Sequence, residues 1–216
     1  MPDEPAHHRA TGASIGAVIL VSAGFVAVIA LHALRTDLDP VREVMSGYAN
    51  GSFGIVMTVA FYALGGAALL MAFRLPRATH RTPVARAVSV LLALAGIGLI
   101  LAGVFEVERP LIPDTIEEII HSDAAIAAFV LLIAAMLLFT VVCRRDPRWH
   151  SFFVVTLALA LIATAAAAFS PLADRTPLTG VAQRGLALTV FAWLFLVAAR
   201  IRFHPAHVPQ PESDGS

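Results

Sequence analysis

The 216-residue chain lacks lysine and carries little charge of either sign. Only 14% of its residues are charged, all 15 basic residues are arginine, and 15 acids balance them to a formal net charge of zero. A soluble domain carries roughly 25% charged residues. Proteins that bind nucleic acid usually carry net positive charge to attract the phosphates, and this chain does not, so we expect no nucleic-acid partner.

Cysteine and metal-binding motifs are equally scarce. The single cysteine, Cys143, excludes a disulfide within the chain. No HExxH or paired-histidine motif occurs, and a metal site needs three or four convergent protein ligands, so we expect no metal. The histidines that could serve as haem ligands lie near predicted loops rather than in the middle of the apolar runs. This argues against haem, and we expect no cofactor. The first apolar run is too long for a signal peptide and no small-residue cleavage site follows it, so we expect no cleavable leader.

Apolar residues dominate what is present. They make up 58% of the chain, and the mean hydropathy is +0.81. Runs of about 20 apolar residues are long enough to cross a bilayer as helices. The sequence therefore predicts an all-α, polytopic membrane protein, a bundle of six transmembrane helices. The predicted spans are residues 13–34, 53–73, 84–105, 124–143, 152–169 and 178–201. Small residues such as Gly65, Gly66 and Gly96 predict close helix packing within one bundle.

Arginine sets the orientation. With the N-terminus inside, ten arginines fall in inner segments and five in outer ones, whereas the acids show the opposite bias. The segment RLPRATHRTPVAR (74–86) contains no acid at all. Both termini are therefore predicted to be cytoplasmic, in a bacterial or archaeal plasma membrane.

The domain organisation follows from these spans. We expect a disordered cytoplasmic tail at residues 1–12, the six-helix membrane domain at 13–202 and a second disordered cytoplasmic tail at 203–216. Membrane lipids are the expected partners, and the sequence names no protein partner.

The stretch DTIEEIIHSDAA (114–125) puts carboxylates and a histidine at the mouth of an apolar helix. Thr115 and Glu118 fit a capping box, and carboxylates in a first turn favour the positive end of the helix dipole. The helix is predicted to start near Thr115 and to run unbroken into the fourth span. Glu117 and Glu118 are then interpreted as a solvated helix end.

Arg184 is the most informative polar residue of the spans. It lies sixteen residues before Arg200, roughly 24 Å at the helical rise, and therefore near the outer interface. Glu106 and Asp123 lie at a similar depth and are candidate partners for a bidentate ion pair. A bundle-locking pair and a binding role for Arg184 are both open.

Two further polar positions lie on the same side. His121 sits about one turn from the hydrocarbon, and it is open to three interpretations: a hydrogen-bonding anchor, a general acid or base, or a ligand. The stretch SGYANG (46–51) favours a turn, with Tyr48 suited to the interface.

The ordered motifs resemble a known family. They are SGYANG (46–51), a third span ending in GVFE, His121 leading into two alanines, and GVAQRG (180–185) followed by Trp193 and an arginine-ended last span. Over residues 13–202 the chain resembles the prokaryotic membrane family catalogued as domain of unknown function 998. The resemblance implies a six-span bundle with characteristic polar residues on the outer side: Ser46, Tyr48, Glu106, His121, Gln183 and Arg184. It implies no activity.

These observations lead to one main hypothesis and two alternatives. The missing catalytic motif favours a non-enzymatic protein that binds a lipid or small amphiphile, or supports a partner complex, through an outward-facing polar cluster. That cluster comprises Ser46, Tyr48, Glu106, His121, Asp123, Gln183 and Arg184. The first alternative is an intramembrane lipid-modifying enzyme, with His121 as base and Arg184 holding an anionic headgroup. The second is a small transporter, although no pair of broken helices is apparent.

Overall fold

The structure is a computed structural model, and it describes residues 4–105, 115–173 and 176–203. Within these ranges the chain is all-helical. Six long helices are present: α1 (Glu4–Leu34), α2 (Gly54–Ala78), α3 (Pro83–Val104), α4 (Ile116–Arg145), α5 (Phe153–Ala173) and α6 (Thr179–Phe203). Each contains a segment long and apolar enough to cross a membrane, so the predicted six-span, all-α fold class is confirmed.

The first residue of a helix agrees with the sequence prediction for α4 but not for α1. α4 begins at Ile116, and the Thr115 side chain accepts a hydrogen bond from the Glu118 backbone N–H at 3.2 Å, as the capping motif predicted. α1 begins at Glu4, inside the segment predicted as a tail, and its membrane-spanning part begins at Ile15. The predicted C-terminal tail falls almost entirely outside the described residues.

The helices are arranged as a closed ring. Each helix packs against the next one along the chain, and α6 returns to pack against α1. α6 also approaches α2 and α4 across the middle of the ring. Because the helices alternate in direction, the start of α1 and the end of α6 lie on the same face, called the inner face below after the arginine-based orientation.

The α2–α3 contact is made backbone to backbone. A Cβ atom added to Gly65 would lie 2.7 Å from the Gly96 carbonyl oxygen, and one added to Gly96 would lie 2.7 Å from the Gly65 carbonyl oxygen. No side chain larger than hydrogen fits at either position without moving a helix. The predicted close packing of small residues is therefore present at this crossing.

On the inner face, a buried carboxylate ties two loops together. The Asp146 side chain, 3% exposed, accepts hydrogen bonds from the His80 backbone N–H at 2.8 Å and from the Arg148 guanidinium at 2.9 and 3.1 Å. The indole N–H of Trp149 donates to the Ala78 carbonyl at 2.9 Å. Arg200 of α6 donates to the Arg148 carbonyl at 2.9 Å. The α2–α3 loop, the α4–α5 loop and the end of α6 thus form one network.

The same contacts act on the titration of Asp146. Burial raises the pKa of this carboxyl. The hydrogen bonds from Arg148 and from the His80 backbone lower the pKa by more than burial raises it, so the net pKa lies below the ordinary value of 3.8. A lowered folded-state pKa stabilises the fold above the unfolded value. That stabilisation is lost as the pH falls through the folded value.

Asp146→Asn should therefore weaken the inner face. An amide offers one acceptor where the carboxylate offers two, so we expect a loss of about 2–3 kcal/mol at neutral pH. The difference between wild type and variant should shrink as the pH falls below the ordinary aspartate pKa and the wild-type carboxylate becomes protonated. Thermal unfolding in detergent measures both effects. Asp123→Asn, at an exposed position of α4, is the matched control. Equal loss for both variants would contradict a special role for Asp146.

The orientation can be tested by cysteine labelling. In a Cys143→Ala background, Arg81→Cys lies on an exposed inner loop and Thr36→Cys lies on an exposed outer turn. In intact cells a membrane-impermeant thiol reagent should label position 36 and not position 81. Labelling of position 81 and not of position 36 would show that the orientation is the opposite of the predicted one.

Candidate functional site

The segment between α1 and α2 folds over the outer end of the bundle. This outer segment, residues 35–53, contains a short 3-10 helix at Met45–Ala49. At its start the buried Arg35 bonds the Asp37 carboxylate at 2.9 Å and donates to the Asn50 carbonyl. The bonds with Asp37 raise the pKa of the Arg35 guanidinium, against the effect of burial. Arg35 therefore joins the two ends of the outer segment as a charged group.

The first turns of α6 hold this outer segment in place. The Val181 backbone N–H donates to the Val41 carbonyl at 3.3 Å, and the Gln183 side-chain oxygen accepts from the Met45 backbone N–H. Gly180 allows the close approach, because a Cβ atom there would lie 2.5 Å from the Pro40 carbonyl oxygen. The motif GVAQRG thus contacts the segment that contains SGYANG.

Arg184 makes the most contacts of this group. Its Nη1 donates to the Glu43 carbonyl at 2.6 Å and to the Gly180 carbonyl at 3.1 Å. Its Nε donates to His32 Nε2 at 2.8 Å, and the guanidinium lies over the Tyr48 ring, 5.4 Å from the centroid. Arg184 therefore joins α1, the outer segment and α6.

The partners of His32 determine which of its ring nitrogens carries the hydrogen. His32 Nδ1 lies 2.7 Å from the Val28 carbonyl, which only accepts, so Nδ1 carries the hydrogen. Nε2 then accepts from Arg184. This contact requires a neutral imidazole, because a protonated ring would present a second donor to the guanidinium.

Arg184 forms no ion pair with Asp123, one of its two candidate partners. Asp123 is exposed on α4, and the Arg184 donors reach His32 and backbone carbonyls instead. No salt bridge to Arg184 is formed among the residues that the structure describes. The other predicted partner, Glu106, lies outside the described residues.

His121 is buried on the opposite side of the bundle and is 3% exposed. Its Nδ1 lies 2.7 Å from the Ala102 carbonyl and 2.9 Å from the Phe105 carbonyl, so Nδ1–H donates to both at the end of α3. The Phe61 ring packs against the imidazole in an edge-on contact at 5.6 Å. In the neutral ring Nε2 is then the acceptor.

A cavity of about 600 Å³ lies between these two groups, in the outer half of the ring. Met45 and Ser46 of the outer segment close its outer end, and Leu132 and Leu194 lie at its inner end. Its walls are mainly apolar. The lining residues of α4 run from Glu118 to Ile133, fifteen residue steps or about 22 Å at the helical rise. The polar lining residues are Ser46, Glu118, His121, Ser122, Ser170, Thr179 and Gln183.

The cavity opens sideways between α4 and α5. Ile126 is 63% exposed and Val130 is 59% exposed, yet both also line the cavity. Across the gap stands Pro171 of α5, also exposed and also a lining residue. α5 is the least buried of the six spans. Because these wall residues are apolar and exposed at membrane depth, the opening faces the lipid.

The predicted site residues are divided by this geometry. Ser46, His121 and Gln183 line the cavity, whereas Tyr48 and Arg184 lie behind it, against α1. Asp123 lies on the exposed surface of α4. The described residues of the predicted polar cluster therefore do not form one cluster.

Sequence reasoning missed several lining residues. Glu118 was interpreted as a solvated helix end, but it is half-buried and lines the cavity. A signal was present: Glu118, Ser122, Ala125 and Phe129 recur at helical spacing and share one face of α4. The contact between Arg184 and His32 was not predicted either.

The fold and site define a multi-pass helical membrane protein with a lateral cavity. The family described as "Protein of unknown function (DUF998)" matches residues 14–200. The chain belongs to this family, as the resemblance of its motifs predicted. No curated protein and no solved structure matches the chain significantly.

Arg184→Met should release the outer segment from α6 and α1. Several hydrogen bonds from a charged group are lost, each worth about 1.5–3 kcal/mol in a buried setting. Partial exposure reduces that value, so we expect the thermal midpoint in detergent to fall by about 5–10 °C. The control is Arg42→Met in the same segment, whose side chain is 70% exposed. An unchanged midpoint for Arg184→Met would show that these contacts do not hold the segment.

Proposed function

We propose that the protein binds one lipid or small amphiphile in the outer cavity, taking it from the surrounding bilayer through the gap between α4 and α5. The lateral opening is the observation that carries this proposal. The exposed lining residues Ile126, Val130 and Pro171 are apolar and lie within the spans, so they give the cavity a route to the surrounding lipid. The proposal includes the plasma membrane as the location, with the cavity in its outer leaflet.

The size and lining of the cavity support the same ligand class. Small-molecule sites measure roughly 300–1,000 Å³ and combine apolar walls with a few polar groups. The volume of about 600 Å³ holds one alkyl chain with a small head, and is too small for a whole two-chain phospholipid. The polar groups are concentrated at the outer end, at the depth where an amphiphile's head would lie.

A tryptophan placed in the cavity tests the proposal. Ala125 lines the cavity on α4, whereas Ala127, two residues later, is exposed and does not line it. Ala125→Trp should fill the space and reduce the amount of co-purified amphiphile by about tenfold or more, a loss of at least 1.4 kcal/mol in binding. Ala127→Trp should leave it unchanged. Native mass spectrometry of protein released from mild detergent measures the bound ligand.

Two results would contradict the proposal. One is a wild-type protein that carries no amphiphile and takes up none when lipid is added. The other is Ala125→Trp that folds, as judged by its thermal midpoint, and still binds like the wild type.

A second candidate, an intramembrane enzyme with His121 as base, rests on one observation. Two carbonyls orient the His121 ring through Nδ1, which leaves Nε2 as an acceptor in a residue that lines the cavity. An oriented imidazole is the arrangement that general bases use. Arg184 does not line the cavity, so its assumed grip on a substrate headgroup has no support. Conversion of the co-purified lipid by wild type, lost in His121→Gln, would favour this candidate.

A further inference from the structure

The polar end of the cavity is selective for the chemistry of the ligand's head. Resting on the proposed function, we infer that the head is uncharged or cationic and donates hydrogen bonds, as an alcohol or a primary amine does. Anionic heads, such as phosphate or carboxylate, are excluded. This reverses the expectation that an arginine grips an anionic headgroup.

Charge is the first argument. Among the described residues that line the cavity, Glu118 is the one carboxylic acid, and none is an arginine. Arg184 does not line the cavity: its Nε and Nη1 donate to His32, Glu43 and Gly180, and its Nη2 is buried without a hydrogen-bond partner among the described residues. An anionic head would therefore be desolvated beside a carboxylate, without a cation to offset the cost.

The hydrogen-bonding groups give the second argument, because most of them accept. His121 donates through Nδ1 to the end of α3, so in the neutral ring Nε2 is an acceptor. Ser170 donates its hydroxyl hydrogen to the Ala166 carbonyl at 3.1 Å, and Thr179 donates to the Ala173 carbonyl at 3.2 Å. Both hydroxyl oxygens are then left as acceptors.

The remaining groups do not reverse this balance. The Gln183 oxygen accepts from Met45, so its amide NH₂ is a donor towards the cavity. Ser46 and Ser122 can act either way. One amide donor set against a carboxylate, an imidazole nitrogen and two hydroxyl oxygens favours a head that brings its own hydrogens.

Three probes with the same alkyl chain separate the possibilities: a monoacylglycerol, a long-chain primary amine and a lysophosphatidic acid. Each is titrated into the purified full-length protein in neutral detergent, and binding is read by native mass spectrometry. The monoacylglycerol and the amine should bind, and the lysophosphatidic acid should bind about tenfold more weakly or not at all.

Glu118→Gln tests the role of the carboxylate, with Glu117→Gln, exposed on the same turn, as the control. Glu118→Gln should weaken amine binding by about tenfold and leave monoacylglycerol binding nearly unchanged. Glu117→Gln should change neither. Amine binding unaffected by Glu118→Gln would overturn the assignment of this carboxylate to the head.

The two proposals fail in different ways. If lysophosphatidic acid binds most tightly to the wild type, the head inference is overturned while amphiphile binding stands. If none of the three probes binds, the proposed function itself fails. Should Glu118→Gln not fold, the order of the three probes on the wild type still decides the inference.

Discussion

The contact of the Arg184 guanidinium with the outer segment is the constraint on which the cavity depends. It bonds the Glu43 carbonyl of that segment, His32 of α1 and the first turn of α6. Met45 and Ser46 follow directly in the chain and form the outer end of the cavity. Val181 and Gln183 of α6 bond the same segment at Val41 and Met45, so three neighbouring residues of α6 hold the outer end of the cavity, and Arg184 is the one that also reaches α1.

The inner and outer faces of the bundle differ in how tightly they are packed. On the inner face, Asp146, Trp149 and Arg200 join two loops and a helix end, and aromatic rings fill the space beneath them. In the outer half, α4 stays in contact with α3 through His121, whereas the opening of the cavity separates α4 from α5. A ring closed firmly at one end can hold a cavity at the other without losing its arrangement. This favours a binding site that is already open before ligand arrives.

Much of the fold could be predicted from sequence, because the signals are local. Apolar runs give the six spans, and Thr115 with Glu118 gives the start of α4. The partner of Arg184 could not be predicted in the same way. Counting residues gives the depth of a side chain in the membrane but not its direction around the helix or the order of the helices. Its acceptors include backbone carbonyls, which every residue possesses and which leave no mark in the sequence.

The direction of one helix face explains why cation and cavity are separate. On α6, Thr179, Gln183 and Ala187 follow one another at helical spacing and line the cavity, whereas Gly180 and Arg184 form the next stripe and face the outer segment. Adjacent residues of a helix differ by about 100° in direction, so Gln183 and Arg184 serve different neighbours. The guanidinium is thereby kept outside the cavity, in contact with neutral acceptors. Among the described lining residues, accepting groups and one carboxylate then outnumber the single amide donor of Gln183, and this balance suits a head that donates hydrogen bonds.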